Sequence, residues 1–503
     1  MEPAKPLRWK PALFIIALSA IAYAIILLKS EWKYEQVRSM ALIITGLVTY
    51  LLLLIWWLAF SRATGRARLA GIAVFILPLL LFRLKGLTGD FIPIFEFRFA
   101  KRAAAIGPAG KTDSTAKRTD FPQLLGPNRD AVIPGIELDP DWAKNPPQLV
   151  WKQPIGAAWS GFSIVGNRAL TQEQEGETEL VVCYDILTGK RIWQAQNAGK
   201  YDTKIAGAGP RATPTIAGER VFTFGATGVL RALSVTDGTV LWTRELATEM
   251  GRAVPEWGFA SSPLVLGDRV IVSIGAGAGK SLIAVNTTDG KTAWTAGDRD
   301  LNYSSPFLLD TPAPQLVMFN SKAITAHDPK TGTVLWEHDW GTGFPNVARP
   351  IPVGPSKVVF SSGYGVGSAL LTITAGEKWS VSQEWKTPRF QAKFSNPVLL
   401  DGHIYGVSDG IFACLDPSDG KVKWKDGRFG HGQGLLFGSL YLQMTEDGQL
   451  VLLRPTPEAA NELGRIKVFD DKTWNTIAIS GDLLLVRNDQ EAACLRLKLK
   501  SAN

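Results

Sequence analysis

The chain has 503 residues, enough for more than one domain, and its 54 Lys+Arg against 46 Asp+Glu give a formal net charge of +8. Its three cysteines (Cys183, Cys414, Cys494) form no CxxC, haem-attachment or adjacent pair, and its four histidines (His327, His338, His403, His431) lack metal-ligand spacing, which argues against metal or haem chemistry by these side chains. No basic run with interleaved aromatics follows the N-terminal region, so nucleic acid is not an expected partner.

The mean hydropathy of +0.06 is concentrated near the N-terminus. Residues 12–28, 40–60 and 69–85 are read as three transmembrane helices within a membrane domain over 1–88. The third is short and contains Pro78, so a kinked span is expected. The first run has a basic front, as a signal peptide does, but its apolar stretch continues past any Ala-x-Ala site and a second span follows at once. Lys5, Arg8 and Lys10 before the first run, and Arg62, Arg66 and Arg68 between the second and third, place the N-terminus in the cytoplasm by the positive-inside rule. Three crossings then put the rest outside the cytoplasm, as expected of a multi-pass protein of a bacterial inner membrane facing the periplasm. Arg83, Lys85, Arg98, Lys101 and Arg102 partly offset this asymmetry. Residues 89–120 read as an aromatic interfacial segment (90–99) followed by a small, polar linker (103–120).

From residue 121 to 503 one pattern recurs: a small or apolar strand, a turn of the form D-x-x-(T/D)-G, and a strand ending in Trp. It reads CYDILTGKRIW (183–193), ALSVTDGTVLW (232–242), AVNTTDGKTAW (284–294), AHDPKTGTVLW (326–336) and CLDPSDGKVKW (414–424). With degenerate copies, the anchoring aromatics are Trp151, Trp193, Trp242, Trp294, Trp336, Trp385, Trp424 and Phe469, spaced 39 to 52 residues apart. That length holds about four short strands, one propeller blade. Alternating apolar residues mark the strands as half-buried. The chain ends on three strands (475–499) and the domain opens on a lone one, LVWKQPI (149–155), so pairing them closes an eighth blade and leaves no free edge there. The expected fold is therefore an all-β eight-bladed propeller of four-stranded antiparallel blades behind an α-helical membrane anchor.

These repeats, with the opening FPQLLGPNRDAV (121–132) and PPQLVWKQPIG (146–156), resemble the quinoprotein-like (PQQ-like) repeat family, which includes BamB-type assembly factors and PQQ-dependent alcohol dehydrogenases. The resemblance is specific for fold and poor for function. In dehydrogenases it implies an acidic base, carboxylate-bound Ca²⁺, a stacking Trp and often an adjacent cysteine pair.

The segments entering the innermost strands ring one mouth of the channel: WSGF (159–162), RATP (211–214), ASSP (260–263), YSSP (303–306), VARP (347–350), FSNP (394–397), HGQG (431–434) and WNTI (474–477). They supply the candidate partner- or ligand-binding residues Trp159, Arg211, Tyr303, Arg349, Lys393, Asn396, His431, Trp474 and Asn475, with Trp257 nearby. This cationic, aromatic lining with few carboxylates suits an anionic planar ligand or an acidic peptide. The bland alternative is that Ser, Thr, Asn and Pro here set strand entries around a water-filled channel. No catalytic or metal-binding residue is assigned.

Other motifs read structurally. GAGAGKS (275–281) has Ile274 where a phosphate loop needs Gly, and a strand follows it, so it is a hairpin connection. The cysteines read as small buried residues, with a Cys183–Cys494 disulfide left open between neighbouring blades. Glu173, Glu175, Glu177 and Glu179 read as a solvated loop cluster, and GYGVGS (363–368) as a wide turn. The leading expectation is a non-catalytic module that binds or scaffolds a protein at the outer face of the membrane, with no cofactor. The alternative is a membrane-bound PQQ-dependent dehydrogenase, with PQQ and Ca²⁺, acting on alcohols or sugars. A ligand sensor would have to pass motion through the 103–120 linker, whose composition is too loose to transmit it.

Overall fold

A computed structural model describes residues 7–29, 35–89, 91–99, 118–197, 199–203, 206–341 and 344–500, and it divides into two units, 1–104 and 105–503.

The first unit is helical. Helix α1 (Lys10–Leu28) and helix α2 (Glu35–Ile55), which continues as a π-turn over Trp56–Phe60, are each long and apolar enough to cross a bilayer. Large apolar side chains such as Leu13, Phe14, Ile21 and Ile25 stand exposed on α1, a surface suited to lipid. Ser19 Oγ and Thr49 Oγ1 meet at 2.7 Å, and Tyr23 donates to the Leu42 carbonyl at 3.2 Å, tying the two helices together. Helix α3 (Gly65–Leu81) starts on a Thr64 cap, contains Pro78 and has 17 residues. It stops short of residue 85. Phe82–Leu87 instead forms a strand paired antiparallel with Pro93–Phe97, because Phe82 and Leu84 alternate with Arg83. The aromatic 90–99 stretch thus supplies one arm of a hairpin. Linker residues 103–117 fall outside the described residues.

The second unit is an eight-bladed propeller. Blade 1 comprises Ser163–Val165, Arg168–Glu175, Thr178–Asp185 and Arg191–Asn197, from the channel outward. Blades 2 to 7 follow over 215–245, 264–296, 307–339, 351–387, 398–428 and 434–467. Blade 8 joins 478–496 to Gln148–Pro154, whose register sets Trp151 against Cys494. The strands are less alternating than the sequence suggests. Second and third strands are buried on both faces, since a blade packs on each side, and only outermost strands such as Val240–Glu245 alternate.

The repeat motif is a docking device between blades. Asp185 Oδ1 accepts the Leu187 and Thr188 N–H groups, and Gly189 at φ +70° closes the turn. The indole of the preceding blade lies on that glycine, so a Cβ on Gly189 would come 2.9 Å from Trp151. The same contact recurs between Gly238 and Trp193, Gly290 and Trp242, Gly332 and Trp294, and Gly420 and Trp385. Trp151, Trp193, Trp242, Trp385 and Trp424 each donate Nε1–H to a carbonyl of the next blade, as Trp193 does to Val235 at 3.0 Å. Beneath six of the seven indoles the cross-strand partner is small, Cys183, Ala232, Ala284, Ala326, Cys414 or Cys494, and beneath Trp385 it is Leu370. That explains the cysteines, all free and buried, and closes the question of a Cys183–Cys494 disulfide.

Blade 7 departs from the pattern. Its fourth strand is Glu462–Lys467, so Phe469 lies beyond it, and Gly464 stands opposite Leu452 where the other blades carry the aromatic. Trp142, from the segment leading into blade 8, packs on Gly464 instead. The aromatic is supplied from elsewhere in the chain, which is why Phe469 is a false anchor.

Residues 118–133 cross one end of the channel as a plug. Phe121 bridges Ile164 in blade 1, the Pro122 carbonyl accepts Ile216 N–H in blade 2, and Val132 bridges Leu436 in blade 7. The plug occupies the end where innermost strands finish, leaving the opposite mouth to the strand entries.

Candidate functional site

The strand entries form a belt of hydrogen bonds from blade to blade. Gly161 N–H donates to Thr213 Oγ1, Thr213 N–H to Ser262 Oγ, and Ser262 N–H to Ser305 Oγ, at 3.1, 2.9 and 2.9 Å. Arg349 N–H donates to Asn396 Oδ1 at 3.0 Å, and Asn396 Nδ2 to Gln433 Oε1 at 3.1 Å. Asn475 Nδ2 reaches the Ala158 and Ser160 carbonyls at 3.1 and 2.9 Å. Asn396 and Asn475 are thus buried ring ties, satisfying backbone groups that converge at the axis. The Arg349 guanidinium lines a cavity beside the plug rather than the mouth.

The remaining ring residues form two aromatic groups. Trp159 and Trp474 have ring centroids 4.9 Å apart, and Lys472 Nζ lies 5.0 and 3.9 Å from their centres. Phe394 joins Trp474 to His431, at 5.3 Å from each. Lys393 is buried, 3.1 Å from Asp409 Oδ1 and 3.5 Å from His431 Nε2. Across the mouth, Trp257 lies on Tyr303 with centroids 5.1 Å apart, and burial pushes the Tyr303 phenol up to about 12. Arg211 sits over Tyr201 at 4.5 Å and gives its N–H groups to the Ala206, Gly207 and Gly209 carbonyls. Burial lowers its pKa to about 10, so it stays charged at neutral pH.

The strand entries alone missed half of this face. Hairpins between second and third strands also reach it, and they carry Asp409, Glu446 and Tyr364. Glu446 accepts Trp474 Nε1–H at 2.9 Å and His431 N–H at 3.1 Å, so the mouth does hold carboxylates. Tyr364, at φ +58°, stacks on Phe344 with Lys393 over its ring, so GYGVGS is an ordered platform rather than a wide turn. The Glu173–Glu179 series is no solvated loop either. Its strands are eight residues long and turn alternate side chains inward. Glu173 is buried, accepting Tyr184 O–H at 2.8 Å and Gly156 N–H at 2.9 Å. Glu179 is buried against the Ala226 N–H, and desolvation raises its pKa to about 7. Glu175 and Glu177 pair with Arg191 and Lys200. Residues 275–280 form a hairpin connection, as expected.

For PQQ and Ca²⁺ the groups that matter at the mouth are its aromatic pairs and its carboxylates. Trp159 and Trp474 lie against each other, and Trp257 against Tyr303, so neither pair presents an open planar slot. The mouth carboxylates already serve Lys393, Trp474 and His431. Among the described residues no three His, Cys, Asp or Glu gather as a metal set, and the cysteines sit in three different blades.

A profile of the family described as "Outer membrane protein assembly factor BamB" matches residues 147–254 and 177–426. The BamB of Yersinia pestis is 24% identical over 298 residues, 56% of this chain and 61% of that protein, so this chain spans about six-tenths of its curated relative. The crystal structure of BamB from Moraxella catarrhalis superposes with TM-score 0.50 at 15% identity, covering 70% of this chain and 99% of that one. A europium-containing methanol dehydrogenase gives 0.55 at 12% identity, covering 75% and 98%. The quinohemoprotein alcohol dehydrogenase of Comamonas testosteroni gives 0.53 at 12%, covering 75% and 80%. At such identities the solved structures speak for the fold alone, whereas the family match spans more than half of the sequence. The blade-docking repeat and the family match together make this chain a member of the BamB-type PQQ-like repeat propeller family.

Proposed function

We propose that the chain is a non-catalytic propeller, anchored by its N-terminal helices in the cytoplasmic membrane with the blades outside, that holds a protein partner on its mouth. The observation that carries this reading is the commitment of the charged groups there. Asp409 is spent on Lys393, Glu446 on Trp474 and His431, and Arg211 on loop carbonyls, so among the described residues these three groups are engaged in holding the mouth together. What faces outward is aromatic and cationic: Trp159, Trp474 and Lys472 on one side, Trp257 and Tyr303 on the other, and Phe344, 44% exposed, between blades 4 and 5. Tryptophan, tyrosine and cations are the residue types that dominate protein interfaces. The matched relative bears the name of an assembly factor, which is consistent with a protein as partner.

The test places a photo-crosslinking residue at Phe344 or Trp474 in native membranes, with Ile192 on the outer edge of blade 1 as control. Discrete adducts from the mouth positions, reduced at least tenfold by Lys472→Glu and absent from the control, are expected. Turnover of alcohols or sugars after reconstitution with PQQ and Ca²⁺ would overturn the reading.

A further inference from the structure

The plug and blades 3 to 6 line an open cavity of about 660 Å³. That size suits a small organic ligand. Two arginines line it, Arg129 from the plug and Arg349 from the entry to blade 5, only 4% and 6% exposed. Arg129 gives Nη1 to the Pro263 carbonyl at 2.9 Å and Nη2 to the Ser262 carbonyl at 3.0 Å, with its guanidinium over Phe307. Arg349 gives Nη1 to the Pro350 carbonyl at 2.9 Å and Nη2 to the Pro397 carbonyl at 3.4 Å. Both Nε–H groups are buried without a hydrogen-bond partner. Neither cation makes an ion pair among the described residues, and Asp130, on the same wall, spends an oxygen on Val132 N–H at 2.9 Å.

Burial is costly for each guanidinium and two in one cavity also repel, while the half-buried Asp130 carboxylate offsets the charge of Arg349 only in part and that of Arg129 not at all. Burial lowers their pKa values to about 9 and 10, which still leaves both charged at neutral pH. An anion between them would relieve both penalties. Leu264, Leu309, Ile351 and Leu399 form an apolar strip in a wall that also holds Asp310 and Thr311, so a hydrocarbon body has a surface to cover that phosphate would leave bare.

We propose that this cavity binds a small organic acid, its carboxylate between Arg129 and Arg349 and its apolar body along Leu264, Leu309 and Ile351. The site is distinct from the mouth in its side chains, which face the plug, although the Arg349 N–H and the Ser262 carbonyl belong to the belt of strand entries. Planar guanidinium groups match a carboxylate in shape as well as charge.

The test titrates the full-length protein in amphipol with octanoate, octanol or inorganic phosphate, followed by calorimetry and thermal unfolding. Saturable octanoate binding is expected, at least tenfold weaker in Arg349→Gln. Asp130→Asn keeps an oxygen for Val132 N–H while removing a like charge, so it should tighten octanoate about fivefold. This second variant decides the matter should Arg349→Gln fail to fold. No saturable octanoate binding, octanol binding as well as octanoate, phosphate binding in its place, or unchanged affinity in Asp130→Asn would each overturn the proposal.

Discussion

The blade-docking motif can be tested with two glycines that differ in one respect. Gly290 and Gly218 both close turns at positive φ, +71° and +58°. Alanine at either position carries the left-handed penalty of about 1–2 kcal/mol. At Gly218 a methyl meets open space, whereas at Gly290 it comes 2.9 Å from two carbons of the Trp242 ring. Ordinary van der Waals contact needs ~3.5 Å or more, so the indole must retreat by about half an ångström. Its Nε1–H bond to the Thr287 carbonyl, 3.1 Å long, then stretches, and its packing on Phe222 loosens. Losing that bond is worth about 1 kcal/mol, and the displaced ring about another. Gly290→Ala is therefore expected to destabilise the propeller by about 2 kcal/mol more than Gly218→Ala. Guanidinium unfolding of the intact protein in detergent, followed by tryptophan fluorescence, measures the difference. Equal midpoints for the two variants would refute the idea that the repeat glycine exists to receive the neighbouring indole.

Two further outcomes follow from buried ionisable groups. Glu179 keeps its proton up to about pH 7 when folded but releases it near 4.5 when unfolded, so its contribution to stability falls by about 3 kcal/mol as pH rises across that window. Glu179→Gln should flatten that part of the stability–pH curve, leaving the share due to Glu173, which desolvation also raises. An unchanged curve would contradict the assignment. Burial pushes the Cys183 and Cys414 thiols up to about 12 and about 11, and that of Cys494 upward as well. Ellman's reagent at pH 8 should leave the folded protein untouched and titrate all three thiols after denaturation, whereas a fast-reacting native thiol would place one of them outside the blade interior.

The fold was legible because its determinants are local and repeated. Asp, Gly and Trp at fixed offsets encode a turn, a positive φ and the indole that docks beside it, so the blade count and the closing strand could be read along the chain. Blade 7 escaped this reading because its aromatic, Trp142, comes from a segment far away in sequence and lands on Gly464. The mouth was half legible. Its aromatic and cationic residues lie at strand entries, which have a sequence position. Its carboxylates lie in hairpins that reach the same face only once the strands have stacked, as Glu446 and Asp409 show. Asn396 and Asn475 stand at the strand entries in the sequence, but polarity alone does not distinguish a side chain tying two backbones from one awaiting a partner. The two buried arginines facing the plug left no pattern in the chain, since Arg129 and Arg349 meet one cavity only through the path of residues 118–133.

The seam between Gln148–Pro154 and Glu491–Arg496 also sets a timetable for the molecule. The first of these strands is made early, yet its partner leaves the ribosome about 340 residues later, and closing so long a loop costs about 5 kcal/mol in chain entropy. Until then the early strand has an unpaired edge, and Trp151, which docks on Gly189, has no Cys494 beneath it. The blades between can stack one by one on local contacts alone, so ring closure has to wait for the C-terminal strand. The nascent chain is most open to mispairing with another copy during that wait, and a chaperone would have most to protect there.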